Sequence, residues 1–405
     1  MAITEQVADA PAARRRALAQ ALGLATVPAI ALGLGRFAYA LLLPAMRAEL
    51  HWSLATAGAL STANAVGYLL GALTAPLLTG RLGERTALLL GLGLTIASLA
   101  ATAAGGAVPY LLAVRLAAGL GGAVALVAGG SLTARLGTGA PPGRATLLLS
   151  VYFAGGGLGI LVSGLAVPLV LHGTHWRTAW LVLAALALLA APACLPGASA
   201  CRGRTPPVGS LRWPARELAA LLGGYALYGA GYIAYMTFIV AYLRQGGVAQ
   251  AGVTAFWVLL GAAAVVGALG WSPVLARLGG GRGAALLIGV TALGAALPLA
   301  GRGWPVTALS ALLFGTAFLS VVTAVTASAR DHLPSRHWTA AIAGLTTAFA
   351  LGQSLGPVLA GALSDGPGGT AAGLGIGAAL LALGALTALA QPGRAPRIPP
   401  PGTVG

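Results

Sequence analysis

Long apolar stretches separated by short polar segments run through almost the whole chain. Each stretch is close to the roughly 20 residues that a helix needs to cross the hydrocarbon core of a bilayer. A helix also satisfies its own backbone hydrogen bonds, as an apolar solvent demands. The pattern predicts twelve transmembrane helices, at about residues 21–43, 54–79, 86–104, 108–134, 145–171, 176–195, 217–243, 254–276, 284–300, 304–329, 338–363 and 371–390.

Composition agrees with a chain whose main solvent is lipid. Hydrophobic residues make up 58% of the 405 residues and charged residues only 7%. A soluble domain carries roughly 25% charged residues, so a water-soluble surface cannot be built from this sequence. We therefore expect an all-α integral membrane protein.

The arginines determine the predicted orientation. All 23 basic residues are Arg, and with a cytoplasmic N-terminus seventeen of them fall in inside segments and four in outside loops. Because basic residues are retained on the cytoplasmic side, both termini are predicted to lie in the cytoplasm of a bacterial cell with the chain in the inner membrane. The net charge of +16 reflects this bias. No loop is long enough to form the basic face that nucleic acid requires.

An internal repeat divides the chain into two parts. The matching strings are GLGRFAY at 33–39 with GAGYIAY at 229–235, RLG at 81–83 with RLG at 277–279, and Gly155 and Gly159 with Gly352 and Gly356. These matches lie 196 or 197 residues apart, and the first of them aligns Arg36 with Tyr232. The repeat predicts a parallel duplication of two six-helix halves, 21–195 and 216–390. A central cytoplasmic loop at 196–215 would join them, with cytoplasmic tails at 1–20 and 391–405.

Two six-helix halves around a basic central loop resemble the major facilitator superfamily over essentially the whole chain. The turn TGRLGERT at 79–86 is similar to the family's Gly/Arg-rich loop, with Gly80 at the position of its usual Asp. Arg115 followed by Gly119 and Gly122 resembles the fourth span. The strings GLGRFAYALLLP at 33–44 and LGQSLGP at 351–357 are most similar to the YbfB/YjiJ-like branch. This resemblance implies secondary transport by alternating access, but it supplies no substrate.

The resemblance also assigns two groups of residues. Spans one, four, seven and ten would surround a central cavity. The turns after spans two and eight would hold the inside closed, so their residues are expected to serve gating. These residues are Arg81, Gly83, Arg85, Arg277 and Gly279.

Two arginines, Arg36 and Arg115, are the only charges deep within the predicted spans. Each lies about seven residues from the outer end of its span, roughly 10 Å deep at 1.5 Å per residue. A charge within a membrane is costly and normally marks a functional site. Two guanidiniums beside the cavity favour an anionic substrate through bidentate, charge-assisted hydrogen bonds. For Arg115 a purely structural role remains an equal alternative.

Hydroxyl groups on one face of two further spans complete the candidate binding site. They are Tyr228, Tyr232 and Tyr235 in span seven and Thr316 and Ser320 in span ten. The alternative is that these hydroxyls bond neighbouring helices. Packing and helix–helix hydrogen bonds are the preferred assignment for Asn64, Tyr68 and Gln353.

The spans hold no embedded Asp, Glu or His for a proton relay. Coupling to a proton would need Glu49 or Asp365 at a helix end, or the substrate's own titration. We therefore expect a monomeric transporter of a small organic anion, without cofactor, metal or nucleic acid. The alternative function is efflux of neutral lipophilic compounds. An enzyme would need convergent catalytic groups at one depth, and a receptor would need an output domain.

Overall fold

The computed structural model describes residues 14–138, 142–200, 213–275, 277–279, 281–334 and 337–392. Within these residues, twelve helices are long and apolar enough to cross a membrane. They are α1 (Arg14–Leu50), α2 (Leu54–Leu82), α3 (Glu84–Thr102), α4 (Val108–Leu136), α5 (Pro142–Leu171), α6 (Trp176–Ala200), α7 (Ala215–Gln245), α8 (Gln250–Gly270), α9 (Arg282–Ala300), α10 (Trp304–His332), α11 (Trp338–Ser364) and α12 (Gly369–Leu389). Most of the predicted central loop and of both tails lies outside the described residues.

The predicted all-helical membrane fold is confirmed, and the largest differences are at the two ends of α1, which begins at Arg14 rather than near residue 21. The apolar pattern placed the other end near residue 43, whereas the helix continues through Pro44 to Leu50. It stops at His51, whose φ of 53° is left-handed and cannot continue a right-handed helix. Arg47 and Glu49 lower the hydropathy of this last turn without interrupting its backbone. Helix α1 therefore extends past its apolar segment.

Twelve crossings fix the direction of each helix. We call the membrane face at which α1 begins the inner face, and the opposite one the outer face. Odd-numbered helices then run from the inner to the outer face, and even-numbered helices return.

The glycine repeat brings equivalent helices into backbone contact in both six-helix halves. A Cβ on Gly155 of α5 would lie 1.9 Å from the carbonyl oxygen of Ala25 in α1. A Cβ on Gly352 of α11 would lie 1.9 Å from the carbonyl oxygen of Ala226 in α7. No side chain fits at such distances, so glycine allows these helix pairs to pack closely.

These contacts revise the register of the repeat. They relate Ala25 to Ala226, 201 residues later, whereas the sequence strings indicated an offset of 196. Arg36 therefore corresponds to the neighbourhood of Met236 and Thr237, and its alignment with Tyr232 is wrong. The sequence match failed because Gly and Ala are so frequent that a short string aligns in several registers.

At the outer face the two halves are joined by a carboxylate. Asp365, at the end of α11, accepts hydrogen bonds from the backbone N–H groups of Leu54 and Ala55, both at 2.8 Å. These residues begin α2, where free N–H groups and the helix dipole favour a negative charge. Nearby, Thr237 Oγ1 of α7 lies 3.2 Å from Ser61 Oγ of α2. The structure is thus closed at its outer face.

Candidate functional site

A π-helical segment of α1, Ala29–Phe37, places Arg36 at the junction of the halves. The Ala38 N–H donates to Gly33 O at 3.0 Å, a bond spanning five residues. Such segments within α-helices are frequent at functional sites. Arg36 lies fourteen residues before Leu50, roughly 21 Å along the helix at 1.5 Å per residue. Arg36 therefore lies further from the end of its helix than the apolar pattern indicated, because α1 continues seven residues past the predicted end.

The partner of Arg36 comes from the opposite half. Its Nη2 donates to Gln353 Oε1 of α11 at 2.6 Å, and the Tyr232 hydroxyl donates to the same oxygen at 3.1 Å. The Arg36 guanidinium also lies 5.4 Å from the ring centroid of Tyr68, within cation–π range. In the described part of the chain Arg36 forms no ion pair, although only 7% of its surface is exposed. Its charge is therefore buried against neutral groups.

Arg115 supports the same segment from α4. Its Nη1 donates to the carbonyl oxygen of Gly35 at 2.8 Å. Its guanidinium lies 5.3 Å from the ring centroid of Tyr39 and 5.5 Å from that of Trp180. The Nε of Arg115 is buried and has no hydrogen-bond partner among the described residues. Arg115 therefore hydrogen-bonds the π-helical backbone, and its Nε–H group is available to a further acceptor.

Arg36 and Arg115 line one cavity between the halves. Its volume is about 10 Å³, enough for about one water molecule. The other lining residues are Phe37, Tyr39, Ala40, Ser61, Asn64, Ile233, Met236 and Thr237. All of these described lining residues are buried, and none of them carries a carboxylate. The cavity therefore has two positive charges and no negative one.

The tyrosines of α7 form an aromatic stack beside this cavity. The Tyr228 ring lies 5.8 Å from that of Tyr225 and 5.0 Å from that of Tyr232, between centroids. Phe349 of α11 stacks on Tyr225 at 4.8 Å, and the Tyr228 hydroxyl donates to the carbonyl of Phe318. Of the three candidate tyrosines, Tyr232 reaches the Arg36–Gln353 pair.

Three other candidates do not line the cavity. Tyr235 bonds Ser310 Oγ of α10 at 2.7 Å. The Thr316 hydroxyl donates to Leu312 O at 2.9 Å within its own helix. Ser320 donates to Thr316 O at 3.5 Å, also within α10. Tyr235 therefore bonds a neighbouring helix, which was the alternative, whereas Thr316 and Ser320 bond only their own helix.

The turn residues lie at the inner face. Arg81, Arg85, Arg277 and Gly279 are exposed. Gly83 has a φ of 84°, which a residue with a side chain adopts only with strain. A Cβ on Gly80 would meet no atom within 4 Å, so this position has room for a side chain.

The sequence pattern did not identify several residues of the site, or assigned them to packing between helices. Ser61, Thr237 and Tyr39 line the cavity, but isolated hydroxyls in apolar helices have no periodic pattern. Gln353 does bond a neighbouring helix, as expected, yet its partner is the buried Arg36. Gln353 is the only amide side chain in span eleven of the sequence, and this feature could have identified it as a site residue.

Comparisons with known proteins agree with this architecture. Residues 28–389 match the family described as "Uncharacterised MFS-type transporter YbfB". The fold is similar to a crystal structure of a mutant nucleoside transporter, NupG, with a TM-score of 0.72 and 14% identity. It is also similar to the human organic anion transporter MFSD10 (TETRAN), with a TM-score of 0.64 and 19% identity. Each alignment covers 93% of this chain and 99% of the other. No curated protein sequence matches.

Proposed function

Because the chain belongs to the YbfB-like family of major facilitator superfamily transporters, we propose that it carries a small organic anion by alternating access. It is a multi-pass membrane transporter rather than an enzyme. The observation that carries the proposal is the cavity that Arg36 and Arg115 line, without a carboxylate among its described lining residues. Buried charge without a counter-ion is costly, and an anionic substrate removes that cost. One chain contains the complete cavity, so a monomer suffices.

The contact between Arg36 and Gln353 supports a link between binding and movement. Gln353 is neutral and offers one amide oxygen, whereas a carboxylate adds a negative charge and can accept two parallel N–H bonds from one guanidinium. A carboxylate therefore competes well for Arg36, which presents several N–H donors in a planar fork. A substrate that takes the place of Gln353 at Arg36 would break a bond between the two halves. Substrate binding would then loosen the closed structure.

Arginines at the outer face support the approach of an anion. Arg47 of α1 and Arg244 of α7 line a hollow of about 450 Å³ between the ends of the two halves. Clefts lined by one sign of charge raise the local concentration of oppositely charged solutes. Both halves thus contribute a positive charge above the buried cavity.

A ligand-stabilisation screen of the purified protein tests the proposed substrate class. Small organic carboxylates, their neutral amide isosteres and organic cations are added to the protein in nanodiscs while thermal unfolding is followed. A ligand at 100 times its Kd stabilises the folded state by about 2.7 kcal/mol, so carboxylates should raise Tm and their isosteres should not. Equal stabilisation by the neutral isosteres would favour efflux of neutral lipophilic compounds, for which the Tyr225–Tyr228–Tyr232 stack offers a surface.

The arginine distribution supports an inner-membrane location with cytoplasmic termini. Reporter fusions after Arg14, within 201–212 and after Arg394 should all report the cytoplasm. A fusion at His172, between α5 and α6, should report the outside. An external signal from the central-loop fusion would overturn this orientation.

The exposed turns at the inner face are proposed to act in gating. Arg81→Ala should change the transport rate while leaving ligand affinity nearly unchanged, because Arg81 lies on the surface and away from the cavity. We expect a mild effect, since Gly80 lacks the carboxylate that the family usually has there. Arg277→Ala in the equivalent turn is the matched variant. A fall in affinity as large as the fall in rate would place this turn in the binding site.

The two carboxylates considered for proton coupling have different surroundings. Glu49 accepts from Trp176 Nε1 at 2.8 Å and pairs with Arg177, both within its own half. Asp365 joins the two halves at the outer face. If transport is coupled to protons, we propose Asp365 as the coupling group. Its protonation would weaken the hydrogen bonds to the start of α2, which must break when the outer face opens.

A further inference from the structure

The cavity between Arg36 and Arg115 raises the question of what balances its charge when no substrate is bound. Its volume of about 10 Å³ limits the occupant to a single small particle. An organic carboxylate does not fit in this closed form. The two buried guanidiniums have only neutral partners among the described residues. A buried cation of this kind is stabilised strongly by a counter-ion.

Both charged groups around the cavity are hydrogen-bond donors, and its acceptors are oxygens of the neutral residues Tyr39, Ser61, Asn64 and Thr237. Each guanidinium offers five N–H groups and accepts none, and the Nε of Arg115 is unpartnered within the described chain. The Thr237 hydroxyl proton is directed to Ile233 O at 2.7 Å, which leaves Ser61 free to donate its own hydroxyl proton. A water molecule could accept from these donors but would leave both positive charges uncompensated. A small anion accepts from the same donors and also compensates the charge.

We propose that one chloride ion occupies this cavity in the outward-closed state, bound by Arg36 and Arg115 with the Ser61 hydroxyl. This inference rests on the proposed function, because it assigns the same two arginines to an anion. Chloride and the carboxylate of the substrate bind at the same place, one after the other. Chloride and substrate therefore compete, and the carrier returns to its closed form with a small inorganic anion in place of the organic one.

The test is chloride-dependent stability of the wild-type protein in nanodiscs. Chloride or bromide is added at constant ionic strength against sulfate, a dianion too large for the closed cavity. Both halides should give a saturable rise in Tm that sulfate does not. Arg36→Gln should raise the apparent halide Kd at least about tenfold, since hydrogen bonds from a charged donor are lost. Arg16→Gln, an exposed arginine at the start of the same helix, should leave it unchanged.

A second measurement avoids dependence on the folding of the Arg36 variant. Trp180 lies 5.5 Å from the Arg115 guanidinium, so bound bromide should quench its fluorescence with the same saturation as the Tm effect. The Trp180→Phe variant should lose this saturable component and keep the linear quenching of its other tryptophans. A response to halide that is linear, matched by sulfate, or unchanged in Arg36→Gln would overturn the chloride site.

Competition separates the two proposals. An organic carboxylate that stabilises the protein should do so with an apparent Kd that rises with chloride concentration. Stabilisation by the carboxylate without chloride competition would disprove the chloride site alone. A saturable chloride effect without any organic anion that competes would retain the site and disprove the proposed substrate class.

Discussion

Replacing Arg36 with Gln is expected to weaken binding of an anionic substrate by about 2–5 kcal/mol, a factor of roughly 30 or more in Kd. The loss is large because the anion would remain buried without its charged partner. Arg36→Lys should recover part of the affinity, since it restores the charge but not the planar fork. The guanidinium is anchored to Gln353 of the opposite half at 2.6 Å, so Gln at position 36 also removes this contact.

The measurement is equilibrium binding in nanodiscs of a carboxylate and its neutral amide isostere. The Arg36 variants should lose affinity for the carboxylate only, and Arg16→Gln should match the wild type. Thermal unfolding without ligand establishes that each variant is folded. Equal losses for both ligands, or no loss for either, would end the anion hypothesis for this site.

A single methyl group at Gly155 should destabilise the protein by about 1–3 kcal/mol, the usual range for overpacking. The Cβ of Ala at this position would lie 1.9 Å from the backbone oxygen of Ala25. Helices α1 and α5 would have to separate, which also moves the π-helical segment that carries Arg36. Gly352→Ala, at the equivalent contact with Ala226, should have a similar cost.

Gly93→Ala is the matched control for this prediction. A Cβ on Gly93 meets no atom within 4 Å, and Ala is a better helix former than Gly by about 1 kcal/mol. This variant should be neutral or slightly more stable. Thermal unfolding in one detergent compares the three proteins. A Tm for Gly155→Ala as high as that for Gly93→Ala would show that the close packing of α1 and α5 is not needed.

The number of helices and their type followed from the sequence alone. A bilayer requires each crossing helix to be long, apolar and hydrogen-bonded within itself. A span can therefore be recognised from the length and hydropathy of one segment of the sequence. The same local logic singled out Arg36 and Arg115, because a charge within a membrane span is rare. The repeat at Gly155 and Gly352 was also visible, since the spacing of small residues is a local property.

The faces of α7 and α10 could not be assigned in this way. Tyr228, Tyr232 and Tyr235 share one helical face in sequence, yet Tyr232 bonds Gln353 whereas Tyr235 bonds Ser310. A helix surrounded by others has no polar exterior to orient it. Its neighbours alone determine which hydroxyl meets the cavity and which meets another helix.

Only the tertiary structure decided what Arg36 contacts and where it lies along its helix. Gln353 is 317 residues away in sequence, and no local pattern connects the two. The end of α1 at Leu50 and its π-helical segment set the position of the guanidinium within the helix. The register between α1 and α5 is set by the approach of Gly155 to Ala25. In a chain with 62 glycines, many registers bring small residues together, and only packing of all helices at once selects one.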